Sequence, residues 1–278
     1  MAKRRRGQVL SGVLIVIALA TVASALWWIA HRLPDRIADT AHEVESLILF
    51  VLAVAAVFLV AAHLYLAYAL WRFRHHPQRQ SMFIGVTRKE WLPVLAIAAV
   101  LLAFDLTFDH RSNEVWAKVF LRVPENAFRV EITGEQFAWG IRYPGKDGEF
   151  GRTDLRLVSD SNPLGIDPND PASKDDIVFP AGQGELHLPL NHPVVFLVRS
   201  KDVIHSFFVP FARLKMDAVP GMTTRIWFTP TKAGTYEFAC AELCGLGHYR
   251  MRGVLVVEPM EQLQKWLSEQ QTFGETMP

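Results

Sequence analysis

SLILFVLAVAAVFLVAAHLYLAYALW, residues Ser46 to Trp71, carries no Lys, Arg, Asp or Glu. Such a run meets the requirement of about 20 apolar residues for a helix that spans a bilayer. A second run, WLPVLAIAAVLLAFDLTF from Trp91 to Phe108, is shorter and holds one acid, Asp105, near its end. It shows no polar stripe, so a second spanning helix suits it better than an amphipathic one. Arg72, Arg74, Arg79, Arg88 and Lys89 crowd the short connection between the runs, against the single acid Glu90. Lys/Arg enrichment marks the cytoplasmic side. The second helix therefore exits outward, and everything after Asp109 belongs on the outer face of a bacterial inner membrane, in the periplasm or an equivalent oxidising compartment.

The N-terminus MAKRRRG precedes an apolar stretch from Val9 to Ala30. It reads either as a third spanning helix with its basic end inside or as a signal peptide cleaved near Ala23-Ser24-Ala25. The stretch exceeds the roughly 7 to 15 residues of a signal core, which favours the helix. The expected organisation is residues 1–31 as leader or extra helix, 32–108 as a transmembrane hairpin with spans at about 46–71 and 91–108, and 109–278 as an outer domain.

Composition agrees with this division. The chain has 278 residues, 50% of them hydrophobic and 21% charged, with formal net charge +1. That is too apolar for a disordered chain or one that coats nucleic acid. Residues 1–108 hold eleven Lys/Arg and six Asp/Glu, whereas the remainder hold 18 and 22, so a basic anchor (net +5) carries a mildly acidic outer domain (net −4). Two cysteines cannot staple a scaffold of this size, so Cys240 and Cys244 matter through local chemistry or not at all.

After Asp109 the long apolar runs give way to short segments: FRVEITG at Phe128, PVVFLVRS at Pro193, TTRIWFTP at Thr223, GTYEFAC at Gly234 and RGVLVVEP at Arg252. Val/Ile/Phe enrichment, period-two alternation and Gly/Pro/Asn/Asp punctuation predict an all-β sandwich or barrel. Phe128, Val130 and Ile132 are expected to face inward, with Arg129, Glu131 and Thr133 outward. The Pro/Asp/Asn/Ser-rich stretch from Asp160 to Asp176 reads as a solvated loop. MEQLQKWLSEQ, after Pro259, suits a short amphipathic helix. No glycine-rich phosphate loop or dinucleotide fingerprint is present, so nucleotide chemistry has no seat.

CAELCGLGHYRM, Cys240 to Met251, follows the strand GTYEFA directly and places two thiols, an imidazole and a thioether within twelve residues. Soft sulfur with imidazole selects copper, and Met ligates electron-transfer copper far more readily than zinc. A Cys240–Cys244 disulfide is the competing reading, yet it would close a very small loop and leave His248 and Met251 unexplained. His205, in the β-prone segment DVIHSFFVP, is the best second imidazole. His187, His192 and His110 are weaker, and His75 and His76 lie on the wrong side of the membrane.

These motifs together resemble subunit II of cytochrome c oxidase, in the haem-copper oxidase superfamily. CAELCGLGHYRM is similar to the family's copper loop, DVIHSFFVPFARLKMDAVPG (Asp202 to Gly221) to the stretch before it, and GEQFAWGIRYPG (Gly134 to Gly145) to its aromatic segment. The likeness runs from about His42 to Glu258. It implies a cupredoxin-like Greek-key β-barrel behind N-terminal transmembrane helices, holding a dinuclear copper (CuA) centre. By that resemblance Cys240 and Cys244 bridge both coppers, His205 and His248 are terminal ligands, Met251 is a weak ligand, and Glu242 offers its backbone carbonyl. The Glu242 carboxylate would reach a magnesium ion shared with subunit I.

The implied activity is that of a terminal oxidase subunit: electrons enter from a cytochrome c and pass to haem and copper in subunit I, which reduces oxygen to water. Partners would be subunit I, other oxidase subunits and membrane lipid, with no nucleic acid. No C-x-x-C-H haem motif occurs, so the donor is a separate cytochrome c or haem protein. The family's aromatic segment commonly has two tryptophans. Here the first place holds Phe137, leaving Phe137 and Trp139 as candidates for electron entry. Glu90 resembles the acid at the entrance of a proton path, or is simply a charge at a helix start. The acidic outer domain, with Asp217, Glu237 and Glu242 near the loop, would steer a basic carrier. A membrane-tethered copper carrier or assembly factor uses the same residue types, and a metal-free β-sandwich module or a quinol oxidase subunit shares the fold.

Overall fold

A computed structural model describes residues 2–73 and 88–276, without the side chains of 2–7, 32, 88–90 and 155. Three helices are long and apolar enough to cross a membrane: α1 (Ala2–Arg32), α2 (Ala41–Arg72) and α3 (Arg88–Trp116). Within them most large side chains are exposed, including Val57 and Leu92 at 68% and 71%, as lipid-facing residues should be. Ser11 Oγ donates to the Ala67 carbonyl at 2.9 Å, and Phe50 stacks on Phe104. The third helix runs on past Phe108, where the apolar run ends. Asp109 to Trp116 contains no Pro or Gly to stop it. It closes in a π-helical turn, Ala117–Leu121.

The chain divides into two units, Met1–Pro34 with Glu45–Asn113, and Asp35–Val44 with Glu114–Pro278. The second unit is a β-sandwich of ten strands: β1 (Phe128–Glu135), β2 (Ala138–Tyr143), β3 (Ile177–Phe179), β4 (Leu186–Pro189), β5 (Val194–Ser200), β6 (His205–Val209), β7 (Leu214–Ala218), β8 (Thr224–Phe228), β9 (Gly234–Cys240) and β10 (Arg252–Glu258). One sheet is ordered β3-β2-β1-β5-β8 and the other β4-β10-β9-β6-β7. The pairs β1–β5 and β4–β10 are parallel and the rest antiparallel, so crossovers between the sheets replace simple hairpins. Their inner faces meet in one core that includes Ile132, Phe196, Phe207, Phe228, Phe238 and Leu255, all nearly inaccessible.

The helix α4 (Met260–Ser268) lies where MEQLQKWLSEQ placed it, followed by a short turn α5 (Phe273–Thr276). Trp266 of α4 stacks on His187 of β4 with centroids 3.8 Å apart, and His187 Nδ1 lies 2.7 Å from the Glu258 carboxylate. In the same unit, the segment before α2 joins the sandwich as an extra edge. Ile37 N–H donates to the Phe211 carbonyl and Thr231 N–H to that of Ile37.

Two expectations fail together. Glu131 and Thr133, placed outward by alternation, are 5% and 9% exposed, and the loop from Asp160 to Asp176 is not simply solvated, since Ile166, Ser173 and Asp176 are all at 0%. The cause is a buried ionic cluster. Arg142 of β2, itself 1% exposed, donates from Nε and Nη2 to Asp176, sends Nη2 to the Gly151 carbonyl at 2.6 Å, and lies 3.5 Å from Glu131. Arg199 pairs with the other oxygen of Glu131 at 3.3 Å. The loop that carries Asp176 thus folds over the outer face of this sheet.

Candidate metal centre

His205 begins β6 and Cys240 ends β9, on paired antiparallel strands where Phe207 sits opposite Cys240. The ten residues from Ala241 to Arg250 then form a loop. Cys240 N–H donates to the Met251 carbonyl at 3.0 Å and closes its neck, while Ala241 N–H bonds to Ser206 O at 2.9 Å. Gly245 adopts φ +135°, which a side chain would resist. A one-turn 3₁₀ helix, His248–Arg250, returns the chain so that His248 and Met251 both face Cys244.

The donor atoms converge. Ligand atoms of His205, Cys240 and Cys244 all lie within 4.8 Å of one another. Cys244 Sγ is 3.3 Å from Met251 Sδ and 3.6 Å from His248 Nδ1, and Cys240 Sγ is 3.2 Å from the Glu242 carbonyl oxygen. Every expected ligand is therefore at one place. Both cysteines are free thiols, contrary to the disulfide reading. Burial and the neighbouring Cys240 push the Cys244 thiol up to about 11, so a soft cation that takes the thiolate must displace its proton.

His205 provides the test of fit. The residue is 0% exposed; its Nε2 is 2.8 Å from Asp202 Oδ1, while Nδ1 is buried with no hydrogen-bond partner. An orphaned buried ring nitrogen costs roughly 1–3 kcal/mol. A carboxylate on one nitrogen and nothing on the other is the arrangement of a metal-ligating imidazole. Asp202 is in turn held by the N–H groups of Gln136 and Val203, both at 2.7 Å. Burial pushes the Asp202 carboxyl up, but the His205 bond, followed by these two N–H bonds, outweighs it and keeps the carboxyl below the usual range.

The aromatic segment of β1 and β2 encloses the centre. Trp139, 4% exposed, sits edge-on to His205, Phe207 and Phe238 and donates Nε1–H to the Met251 carbonyl at 3.4 Å. Gln136 Nε2 donates to the Cys244 carbonyl at 2.6 Å, tying this turn to the loop. A Cβ on Gly134 would lie 2.9 Å from the His205 ring, and one on Gly247 would fall 2.4 Å from the Phe137 ring. Phe137 is 37% exposed at the mouth of the centre, and Trp139 is sealed beneath. Reading the sequence missed Asp202 and Gln136 as supports, although both stood inside quoted motifs.

Other candidates lie elsewhere. His187 is committed to Trp266 and Glu258, and His192 Nε2 lies 3.0 Å from the Asn126 carbonyl. Asp217 is bound by Ser206 and Lys215. The Glu90 side chain, His75 and His76 fall outside the described residues.

Comparison with known proteins follows the same residues. Residues 128–259 match the family model described as cytochrome c oxidase subunit II, periplasmic domain. The alternative cytochrome c oxidase subunit 2 of Bradyrhizobium diazoefficiens is 38% identical over 271 residues, covering 94% of this chain and 92% of that one. This chain belongs to the cytochrome c oxidase subunit II family. The cytochrome c oxidase subunit 2 of Cereibacter sphaeroides is 28% identical over 246 residues, 84% of this chain and 77% of its own. Among solved structures, the periplasmic domain of subunit II of the Bradyrhizobium japonicum cytochrome oxidase is 27% identical, covering 53% of this chain and 95% of its own, with TM-score 0.39. As a subunit II, the chain is anchored in a membrane by apolar helices and carries its cupredoxin-like domain outside.

Proposed function

We propose that the chain is the electron-accepting subunit of a terminal oxidase, taking electrons from a cytochrome c and passing them to haem and copper in subunit I, where oxygen is reduced to water. The residues that would hold its cofactor, a pair of copper ions, are Cys240 and Cys244 as bridges, His205 and His248 as terminal ligands, Met251 as a weak ligand and the Glu242 carbonyl. When bound, such a pair of coppers would supply a one-electron centre.

The chain's own part is rigidity. His205 is fixed by Asp202, the loop is closed at its neck and tied by Gln136, and Trp139 packs against the ligands, so the donors keep their places whichever charge they serve. Burial sets the surroundings of the sulfurs and keeps water from Met251, which is 1% exposed. The exposed Glu242 is left free to offer its carboxylate to a magnesium ion at the junction with subunit I.

The observation that carries the reading is the convergence of soft donors beside His205, whose buried Nδ1 has no partner. It also favours the relay over a copper carrier. A carrier must present its ligands to the receiving protein, whereas His205, Cys244 and Met251 are 0%, 6% and 1% exposed. The test is metal stoichiometry on the assembled complex. Two coppers per chain beyond those of subunit I, lost together in Cys240→Ser along with oxygen uptake driven by cytochrome c, support the proposal; one labile copper per chain defeats it.

A further inference from the structure

A cleft of about 450 Å³ opens beside the metal centre, lined by Phe137, Trp139, Gln183, Phe238, Arg250 and Arg252 among others, with no Asp or Glu in its wall. Arg250 and Arg252 are exposed, and neither has an ion-pair partner among the described residues. The acid two residues before Phe137 and the acid bonded to the Gln136 N–H are already committed. Glu135 is paired with Lys201 at 2.6 Å, and Asp202 is taken by His205 and two backbone N–H groups. Glu242, the acid of the loop, does not line the cleft.

The rim is apolar and lies against the loop. The Phe137 ring packs so closely on Gly245 and Gly247 that a Cβ on either would meet it at 3.0 and 2.4 Å, and Leu246 between them is 98% exposed. Tyr249, one residue before Arg250, is 72% exposed. Large apolar side chains left in water beside a wall of unpaired cations mark an interaction surface rather than ordinary solvated loop.

We infer that the electron donor docks here by an apolar contact on Leu246 and Phe137, and that it presents an acidic rim to Arg250 and Arg252. The partner is a redox protein whose exposed cofactor edge is framed by carboxylates. This rests on the functional reading above and gives the donor a polarity opposite to the one the net −4 of the outer domain suggests. Net charge is a property of the whole domain, whereas steering at short range follows the unpaired charges at the mouth. Trp139 itself lines the cleft that holds those charges, and its ring lies edge-on to that of His205 with centroids 5.9 Å apart.

The test uses the complete copper-loaded complex and two probes, reduced basic cytochrome c and the same protein succinylated so that its lysines become carboxylates. Rates of copper reduction are measured by stopped flow at low and high ionic strength. The acidic probe is expected to react about tenfold faster at low salt, with a rate that falls as salt is added, and Arg250→Gln with Arg252→Gln should erase the preference. Copper content and reduction by dithionite check that the variants keep the centre. Should they lose copper, the ratio of probes on the unaltered complex still decides. A faster basic probe, or a preference that survives in copper-replete variants, overturns the inference and leaves the electron-accepting role standing. A complex without copper in this subunit overturns both.

Discussion

Replacing Arg142 with Met removes the only cation among the described residues that Asp176 touches. In the native domain Asp176 is 0% exposed, takes Nε and Nη2 of Arg142 and the N–H of Gly151 on one oxygen, and leaves the other oxygen without a partner. Glu131 retains Arg199, so the loss concentrates on Asp176 and on the Gly151 carbonyl, which forfeits its 2.6 Å bond. Removing one member of a buried pair costs about 3–5 kcal/mol, because the remaining charge is left in a low-dielectric interior. For a unit of this size that is a fall in Tm on the order of 10 °C. The assay is thermal unfolding of the detergent-solubilised chain followed by tryptophan fluorescence. Combining Arg142→Met with Asp176→Asn should recover part of the loss, since the stranded charge is gone. A single variant that loses less than about 1 kcal/mol, or a double variant that falls by the sum of its parts, refutes the reasoning.

Two further outcomes are expected. In Asp217 the carboxyl is held below its ordinary range by the Ser206 hydroxyl and then by Lys215, so its stabilising contribution is present above the unfolded pKa near about 3.9 and lost as pH falls through the lower folded value. Asp217→Asn should therefore be roughly 1 kcal/mol less stable at pH 7, a modest figure because the side chain is half exposed, and denaturant midpoints should converge with the native chain in acid. Gln136→Ala removes the 2.6 Å tie to the Cys244 carbonyl; copper release to a chelator should quicken about tenfold, and an unchanged rate would show that the loop holds itself.

How much of this was legible follows from how local each signal is. The runs behind β1, β5, β8, β9 and β10 are short β-prone segments set between turn residues and declare themselves, as do the spanning helices. β3, with three residues, and β7, whose LKMDA mixes charge with small side chains, exist because neighbouring strands pair with them. Alternation in β1 pointed Glu131 to water because nothing within eight residues announces that a loop ending at Asp176 will cover that face. The metal centre divides in the same way. Cys240, Cys244, His248 and Met251 share one loop and could be read together, whereas His205 joins them only through the pairing of β6 with β9. Asp202 and Gln136 carry no pattern of their own; their roles appear only as hydrogen bonds to atoms 3 and 108 residues away.

The most direct measurement is the paramagnetic resonance spectrum of the oxidised, copper-loaded complex, comparing the native chain with Cys244→Ser. An unpaired electron split by two equivalent copper nuclei, vanishing in the variant, is what Cys240 and Cys244 acting as shared bridges requires. Splitting by a single nucleus in the native chain would contradict it.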